Sequence, residues 1–309
     1  MTLSHIPPDF DPDTYLEINE DVKRAGIDPL QHYLTHGIKE KRQYKRNDCF
    51  EKLYSFYVEL EPNDQSAFDL FQRAWSTKFD NINTQGGFTG TNDERIHWLM
   101  KQVNIMNFKV LELGPLEAGH TFMLEKIGGA EVVAVEANAG AFLRCLIVKN
   151  HLNLSARFLL GDFEKLEYSS VKYDLIVASG ILYHLKNPVE FISKISDSTD
   201  RLFIWTHYFE PDFSKWNPKL KTYLNGGKWE YEQPLSIIFD CNIFKLIKQN
   251  YGAALDWSGF CGGLDDYSYW MYKDELLDLL NRVGYKKVNI AFDHADHENG
   301  PCFCLYCEK

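Results

Sequence analysis

The sequence predicts an α/β protein: a seven-stranded sheet with helices on both faces, preceded by a small helical module. Two observations carry this. From residue 108 onward, short apolar runs alternate with longer segments of helical spacing, the pattern of a mostly parallel sheet covered on both sides. Before residue 48 the chain shows two short capped helical patterns instead. Strands are expected near 108–113, 131–136, 157–161, 173–178, 201–206, 287–293 and 302–307, and helices near 119–128, 139–151, 188–196 and 273–283.

Residues 1–47 form the first unit. Asp11 is placed as an N-cap with Pro12 at the first helical position, and Asp28-Pro29 repeats the arrangement, with Gly37 as the expected stop. Leu30, Tyr33 and Leu34 mark its apolar stripe. Residues 48–107 read as a helical lead-in. Phe50 to Leu60 and Ser66 to Lys78 carry helical spacing, broken at Pro62-Asn63-Asp64. The glycine-rich run from Gln85 to Thr91 is expected to be a loop and a lid over the ligand site, and Asn92 or Asp93 caps a helix through Met100. Residues 108–309 hold the main domain. Between Glu210 and Gly263 an aromatic insertion, with Trp229 and Trp257, follows the fifth strand at the carboxyl edge, where open α/β sheets bind ligands. It reads as a substrate cover; the alternative is a helical pair on the core, including Phe239 to Leu246.

Three acidic residues close the first three strands: Glu112, Glu136 and Asp162. A carboxylate after the second strand of such a sheet is placed to accept from ribose hydroxyls. Asp162, beside Phe163, is placed to accept from an adenine amine. The first turn, Glu112-Leu-Gly114-Pro-Leu116-Glu117-Ala-Gly119, lacks the second glycine that lets backbone approach a pyrophosphate. Glu112 and Glu117 also place negative charge where a phosphate would go. A ligand bearing an ammonium and a sulfonium suits such a turn, and S-adenosylmethionine has both. A nicotinamide dinucleotide does not fit it.

On these motifs, residues 108–309 resemble a Rossmann-like class I S-adenosylmethionine-dependent methyltransferase. The run Ser179-Gly-Ile-Leu-Tyr183-His184-Leu, followed by Asn187-Pro188, is similar to the branch of the tRNA wobble-uridine carboxymethyl transferases and their relatives. The resemblance implies S-adenosylmethionine as cofactor, held by Glu112, Gly114, Gly119, Glu136, Ala137, Asp162, Phe163 and Ser179. Arg95 is the candidate partner for the cofactor's methionine carboxylate, with a surface salt bridge as the alternative. Relatives that transfer a carboxymethyl group use additional basic residues, for which only Arg95 and Lys101 are candidates here. The first 47 residues resemble a helical module found beside glycosyltransferases and other polysaccharide-related enzymes, and are read as a protein-partner site or a plain extension.

Methyl transfer from a sulfonium needs positioning and exclusion of water, and a hydroxyl acceptor adds the need for a base. His184, after the fourth strand, and His207, after the fifth, are the candidates. Tyr183 is placed to donate to, or stack on, the acceptor, with Trp229 and Trp257 around it. A net charge of −11, from 33 basic against 44 acidic side chains, argues against a large nucleic-acid footprint, although Lys39, Lys41, Arg42, Lys45 and Arg46 form a local basic cluster. Seven cysteines without a secretory signal argue against disulfides and for a cytoplasmic protein. Cys302 and Cys304 alternate with Cys307 across the last strand, unlike the converging ligands of a zinc knuckle, so no metal is expected even with His294 and His297 near. The reading is a methyltransferase acting on a small-molecule or sugar-containing acceptor. The rivals are transfer to a tRNA base and a non-catalytic cofactor-binding scaffold.

Overall fold

The structure is a computed structural model, and it describes residues 10–40, 42–44, 57–72, 74–212, 215–218, 233–251, 262–263 and 265–309. Contacts divide the chain into two units, Met1–Glu61 and Pro62–Lys309.

The first unit contains α1 (Pro12–Ile18), α2 (Glu20–Ala25) and α3 (Pro29–His32), the last running on into a wider turn, Tyr33–Gly37. Asp11 caps α1 through Thr14 N at 2.6 Å, and Asp28 caps α3 through Gln31 N at 2.7 Å. Its core is aromatic: Tyr15 is fully buried among Phe10, Tyr33 and Tyr44, and its hydroxyl bonds His32 Nδ1 at 2.9 Å. The helical segment ends at Gly37, as expected, with Ile38 as its C-cap. Gly37 is small because a Cβ there would lie 2.5 Å from the Tyr15 hydroxyl.

The second unit opens with α4 (Asp64–Asp69) and α5 (Glu94–Gln102). Of the helical spacing expected over residues 66–78, only the first turn is helical; Trp75 then folds back so that Nε1 donates to Phe68 O at 2.9 Å. Most of the 50–60 segment lies outside the described residues. The glycine loop is zipped to the chain before it, Phe88 N to Ser76 O at 3.0 Å and Lys78 N to Phe88 O at 2.8 Å.

Seven strands follow the expected positions: β1 (Lys109–Leu113), β2 (Glu131–Glu136), β3 (Arg157–Leu160), β4 (Leu175–Ser179), β5 (Arg201–His207), and two later strands, Lys287–His294 and Cys302–Glu308. Their order is β3-β2-β1-β4-β5, then Cys302–Glu308, then Lys287–His294. The first five are parallel and the last two pair antiparallel, so the final strand inserts beside β5. The helices are α6 (Gly119–Phe122, widening through Ile127), α7 (Ala139–His151), α8 (Pro188–Ser196) and α9 (Lys273–Arg282). Alternation puts Leu111, Ile176, Leu202, Ile204 and Leu305 on one face, under α8 and α9, and Val110, Val132, Val177 and Phe203 on the other, with Ile96 and Leu99 of α5. Cys304 and Cys307 lie on opposite faces, as strand periodicity requires.

The insertion departs from the helical-pair alternative. Residues Leu235–Phe239 (β6), Asn242–Asn250 (β7) and Tyr267–Met271 (β8) form a separate antiparallel sheet. Asp240 and Cys241, both at positive φ (48° and 57°), make the two-residue hairpin turn between β6 and β7. That is the geometry hairpins favour, reached here without glycine. The last two strands of the large sheet are accordingly β9 and β10. Among the described residues no helix is long and apolar enough to cross a membrane.

Candidate active site

The carboxyl ends of β1, β2, β3, β4 and β5 converge with the predicted residues. Gly114 follows β1 at φ 68°, where a side chain would be strained and its Cβ would meet Ile181 Cγ2 at 2.8 Å. The turn then holds Leu116 and Ala118 in the left-handed region, φ 55° and 59°. A Cβ on Gly119 would lie 2.7 Å from the Gly90 backbone, so the glycine loop closes on the start of α6.

Each acidic residue has a distinct environment. Glu112 is 2% exposed, and its only hydrogen bond among the described residues comes from the Thr121 hydroxyl. Burial pushes its carboxyl up to about 7; the Thr121 bond opposes the shift and the Glu136 charge adds to it. Glu136 accepts Asn138 N at 2.8 Å on one oxygen and Leu116 N at 3.2 Å on the other. Burial raises its pKa against those two bonds. Each oxygen has further lone-pair capacity for a ligand hydroxyl. Ala137 sits between, half-buried. Asp162 caps the next turn through Glu164 N at 2.9 Å, and Phe163 packs on Phe191 at 5.3 Å between ring centres.

Glu117 departs from its expected position. It is 1% exposed and turned inward, accepting Ser76 N at 2.9 Å and Thr77 N at 2.7 Å, with Arg144 Nε 3.2 Å away. It places no charge at the ligand. Pyrophosphate is disfavoured for another reason: three consecutive amides of the turn are already spent. Leu116 N bonds Glu136, while Glu117 N and Ala118 N both bond Pro115 O, at 2.6 and 2.9 Å.

Arg95 is also engaged. Its Nε and Nη2 fork onto Asp93, Nε at 3.0 Å, and its guanidinium lies 4.5 Å over the Trp205 ring. His120 Nε2 shares Asp93 at 2.9 Å. Burial opposes the Asp93 charge, but the His120 and Arg95 bonds outweigh it and hold the carboxyl well below its usual range. Arg95 therefore carries a neutralised charge, with Nη1 not engaged among the described residues.

Past β4, whose last residue is the half-buried Ser179, Tyr183 and His184 lie on a single helical turn. Tyr251 donates its one hydroxyl proton to the Gly262 carbonyl, so it accepts from His184 Nδ1–H at 2.8 Å. The neutral imidazole then carries its lone pair on Nε2. His207, the last residue of β5, donates Nδ1–H to Gly300 O at 2.9 Å and stacks on Trp270 at 5.3 Å and 11°. Tyr183 meets the His207 ring edge-on at 4.6 Å. Burial keeps both imidazoles neutral, pushing His184 down to about 3 and His207 down to about 4. Trp229 and Trp257 lie outside the described residues.

Two groupings were not legible in the sequence. Trp270 and Tyr251 reach the histidines because Tyr269 N bonds Leu185 O at 2.9 Å, docking β8 onto the His184 turn. Separately, His207, His297 and Cys302 bring one possible metal-ligand atom each to within 4.8 Å of one another. His297 Nδ1 accepts Asn299 N at 3.2 Å, which places its neutral-form proton on Nε2, and burial pushes the Cys302 thiol up to about 11. A metal would have to displace both protons.

Residues 111–199 match the family model described as a methyltransferase domain. No curated protein sequence matches the chain. Among solved structures, the N-terminal domain of EvdMO1, crystallised in the presence of SAH and D-fucose, has a TM-score of 0.59 at 17% identity, over 79% of this chain and 94% of that one. The structure of EvdMO1 itself aligns at TM-score 0.53 and 15% identity over 79% of this chain and 46% of its own. Burkholderia thailandensis 1,6-didemethyltoxoflavin-N1-methyltransferase aligns at TM-score 0.45 and 11% identity, over 72% of this chain and 78% of that chain. Fold and matched segment agree: residues 111–199 are similar to a methyltransferase domain, and the sheet that holds them shares the fold of the EvdMO1 domain crystallised with SAH, that of a class I methyltransferase.

Proposed function

We propose that the protein methylates a hydroxyl of a small, sugar-containing acceptor. The observation that carries the cofactor geometry is the set of carboxylates at the ends of β1, β2 and β3 around a turn whose Leu116, Glu117 and Ala118 amides are spent. Glu112 is a buried carboxylate without a cationic partner among the described residues, which suits an ammonium. Glu136 takes the ribose hydroxyls, Asp162 the adenine amine beside Phe163, and Gly114 leaves room for close approach. When bound, the cofactor supplies a methyl group on a sulfonium. His184 Nε2 takes the proton that the hydroxyl loses as its oxygen is methylated, and Tyr251 holds the imidazole in that tautomer. His207 positions Tyr183 and Trp270.

Ordinary methyl transfer ranks ahead of carboxymethyl transfer to tRNA. A carboxylated cofactor needs an available cation; Arg95 is neutralised by Asp93 and Lys101 is exposed. The acidic net charge also disfavours a polyanionic acceptor. EvdMO1 crystallised with D-fucose present is in keeping with a sugar acceptor, but the sharing of a fold does not transfer a substrate.

Two measurements test the cofactor assignments. Glu136→Ala should weaken S-adenosylmethionine binding by about 1–3 kcal/mol, the usual worth of hydrogen bonds to a charged group; calorimetric affinity equal to wild type would remove the ribose assignment. Glu112 gives a pH signature. Its pKa is raised in the folded protein, so its contribution to stability is present at low pH and is lost as pH rises through about 7. An ammonium requires the ionised form, so cofactor affinity should fall as pH drops below about 7, with about one proton released on binding at pH 6. Titrations in buffers of different ionisation enthalpy read that proton directly, and a release near zero contradicts the pairing.

A further inference from the structure

Two buried polar atoms, one on β7 and one on β8, have no hydrogen-bond partner among the described residues. They are Nε2 of Gln249, which is 8% exposed, and Oγ of Ser268, which is fully buried. An unanswered buried polar atom is costly, so each one in a folded protein calls for something that answers it.

Their place in the fold indicates what that is. Gln249 and Ser268 are directly paired across β7 and β8, so both side chains project from the same face. Two residues along β8 on that face is Trp270, which stacks on His207. Two residues along the chain from Gln249 is Tyr251, whose backbone N–H continues the ladder to Asp266 O at 3.1 Å and whose hydroxyl holds His184. The orphan pair therefore lies between the two residues that contact the candidate catalytic histidines. The opposite face of the same strands is occupied, with Phe244, Leu246 and Met271 in the main core.

We propose that Gln249 and Ser268 form a subsite for a neutral, polyhydroxylated acceptor, most simply the sugar ring that is methylated. A carboxamide offers a donor or, turned over, an acceptor, and a serine hydroxyl offers both. A ligand hydroxyl matches every combination, whereas a carbonyl or an amine matches only some. Neither residue carries a charge, so a phosphate or carboxylate gains no countercharge from them. The inference rests on the methyltransferase reading above and names the acceptor chemistry of that same site.

The test is methyl transfer from radiolabelled S-adenosylmethionine to free hexoses and 6-deoxyhexoses, with bulk tRNA in parallel, using the full chain. Label should enter at least one neutral sugar. Gln249→Met and Ser268→Ala should each raise the sugar KM about tenfold, with a smaller fall in kcat, the loss of one hydrogen bond per variant. Cofactor affinity should stay within about twofold of wild type, and the melting temperature should hold or rise because an unanswered polar group has been removed. Label in tRNA alone, or a sugar KM unchanged in both variants, overturns the subsite. Wild-type protein that fails to bind S-adenosylmethionine would instead overturn the proposed function on which the subsite rests.

Discussion

His184→Ala should lower kcat by about 10²–10⁴-fold, the range for a positioned general base, while cofactor affinity remains within about twofold of wild type. Methylation of a neutral hydroxyl leaves a strongly acidic oxygen, so even a weakly basic imidazole takes its proton. The low pKa then has a consequence for pH profiles. Burial, aided by the neighbouring His207, pushes His184 down to about 3, so the imidazole stays neutral throughout the physiological range. The turnover rate should show no acid limb near 6.5, whereas cofactor affinity titrates near 7 through Glu112. The two parameters should separate on the pH axis. If His184→Ala leaves kcat unchanged, positioning alone carries the reaction and no base is needed at this site.

Glu117→Ala should be the most destabilising single change at the first turn. The substitution strips acceptors from the part-buried amide of Ser76 and the buried amide of Thr77 and leaves Arg144 beside them without its counter-ion. Arg144 Nε already lacks a hydrogen bond of its own, so the carboxylate is its electrostatic partner. Breaking such a buried pair from one side costs about 3–5 kcal/mol. For a unit of this size the melting temperature should fall by roughly 10 °C. A shift near zero would mean that the 75–77 segment is held by its aromatic packing alone, Trp75 against Phe68 and Phe79.

What the sequence disclosed follows the range of the forces involved. The strands of the large sheet were legible because each is a bounded apolar run, and the first helices because capping is local: Asp11 and Asp28 each bond an amide three residues on. The three carboxylates were legible because strand ends in a doubly wound sheet are functional positions by topology. The small β6-β7-β8 sheet was not. Its tightest turn uses Asp240 and Cys241 at positive φ in place of the glycine that would have announced it. Glu117 was legible as a charge but not as a clamp, since its amide partners lie 40 and 41 residues earlier. The partner of His184 is 67 residues away, whereas Arg95 takes the salt-bridge alternative, on Asp93 two residues before it. The missed contacts are tertiary, and none has a periodicity to reveal it.

The most direct test of the central claim is parallel calorimetric titration of the purified protein with S-adenosylmethionine, its carboxylated analogue and NAD. Three carboxylates around a turn whose Leu116, Glu117 and Ala118 amides are taken predict that S-adenosylmethionine binds, that the carboxylated form binds more weakly for want of an available cation, and that NAD does not bind. Tighter binding of the carboxylated form would return the acceptor search to tRNA. Binding of NAD, or of none of the three, would contradict the assignment of this site.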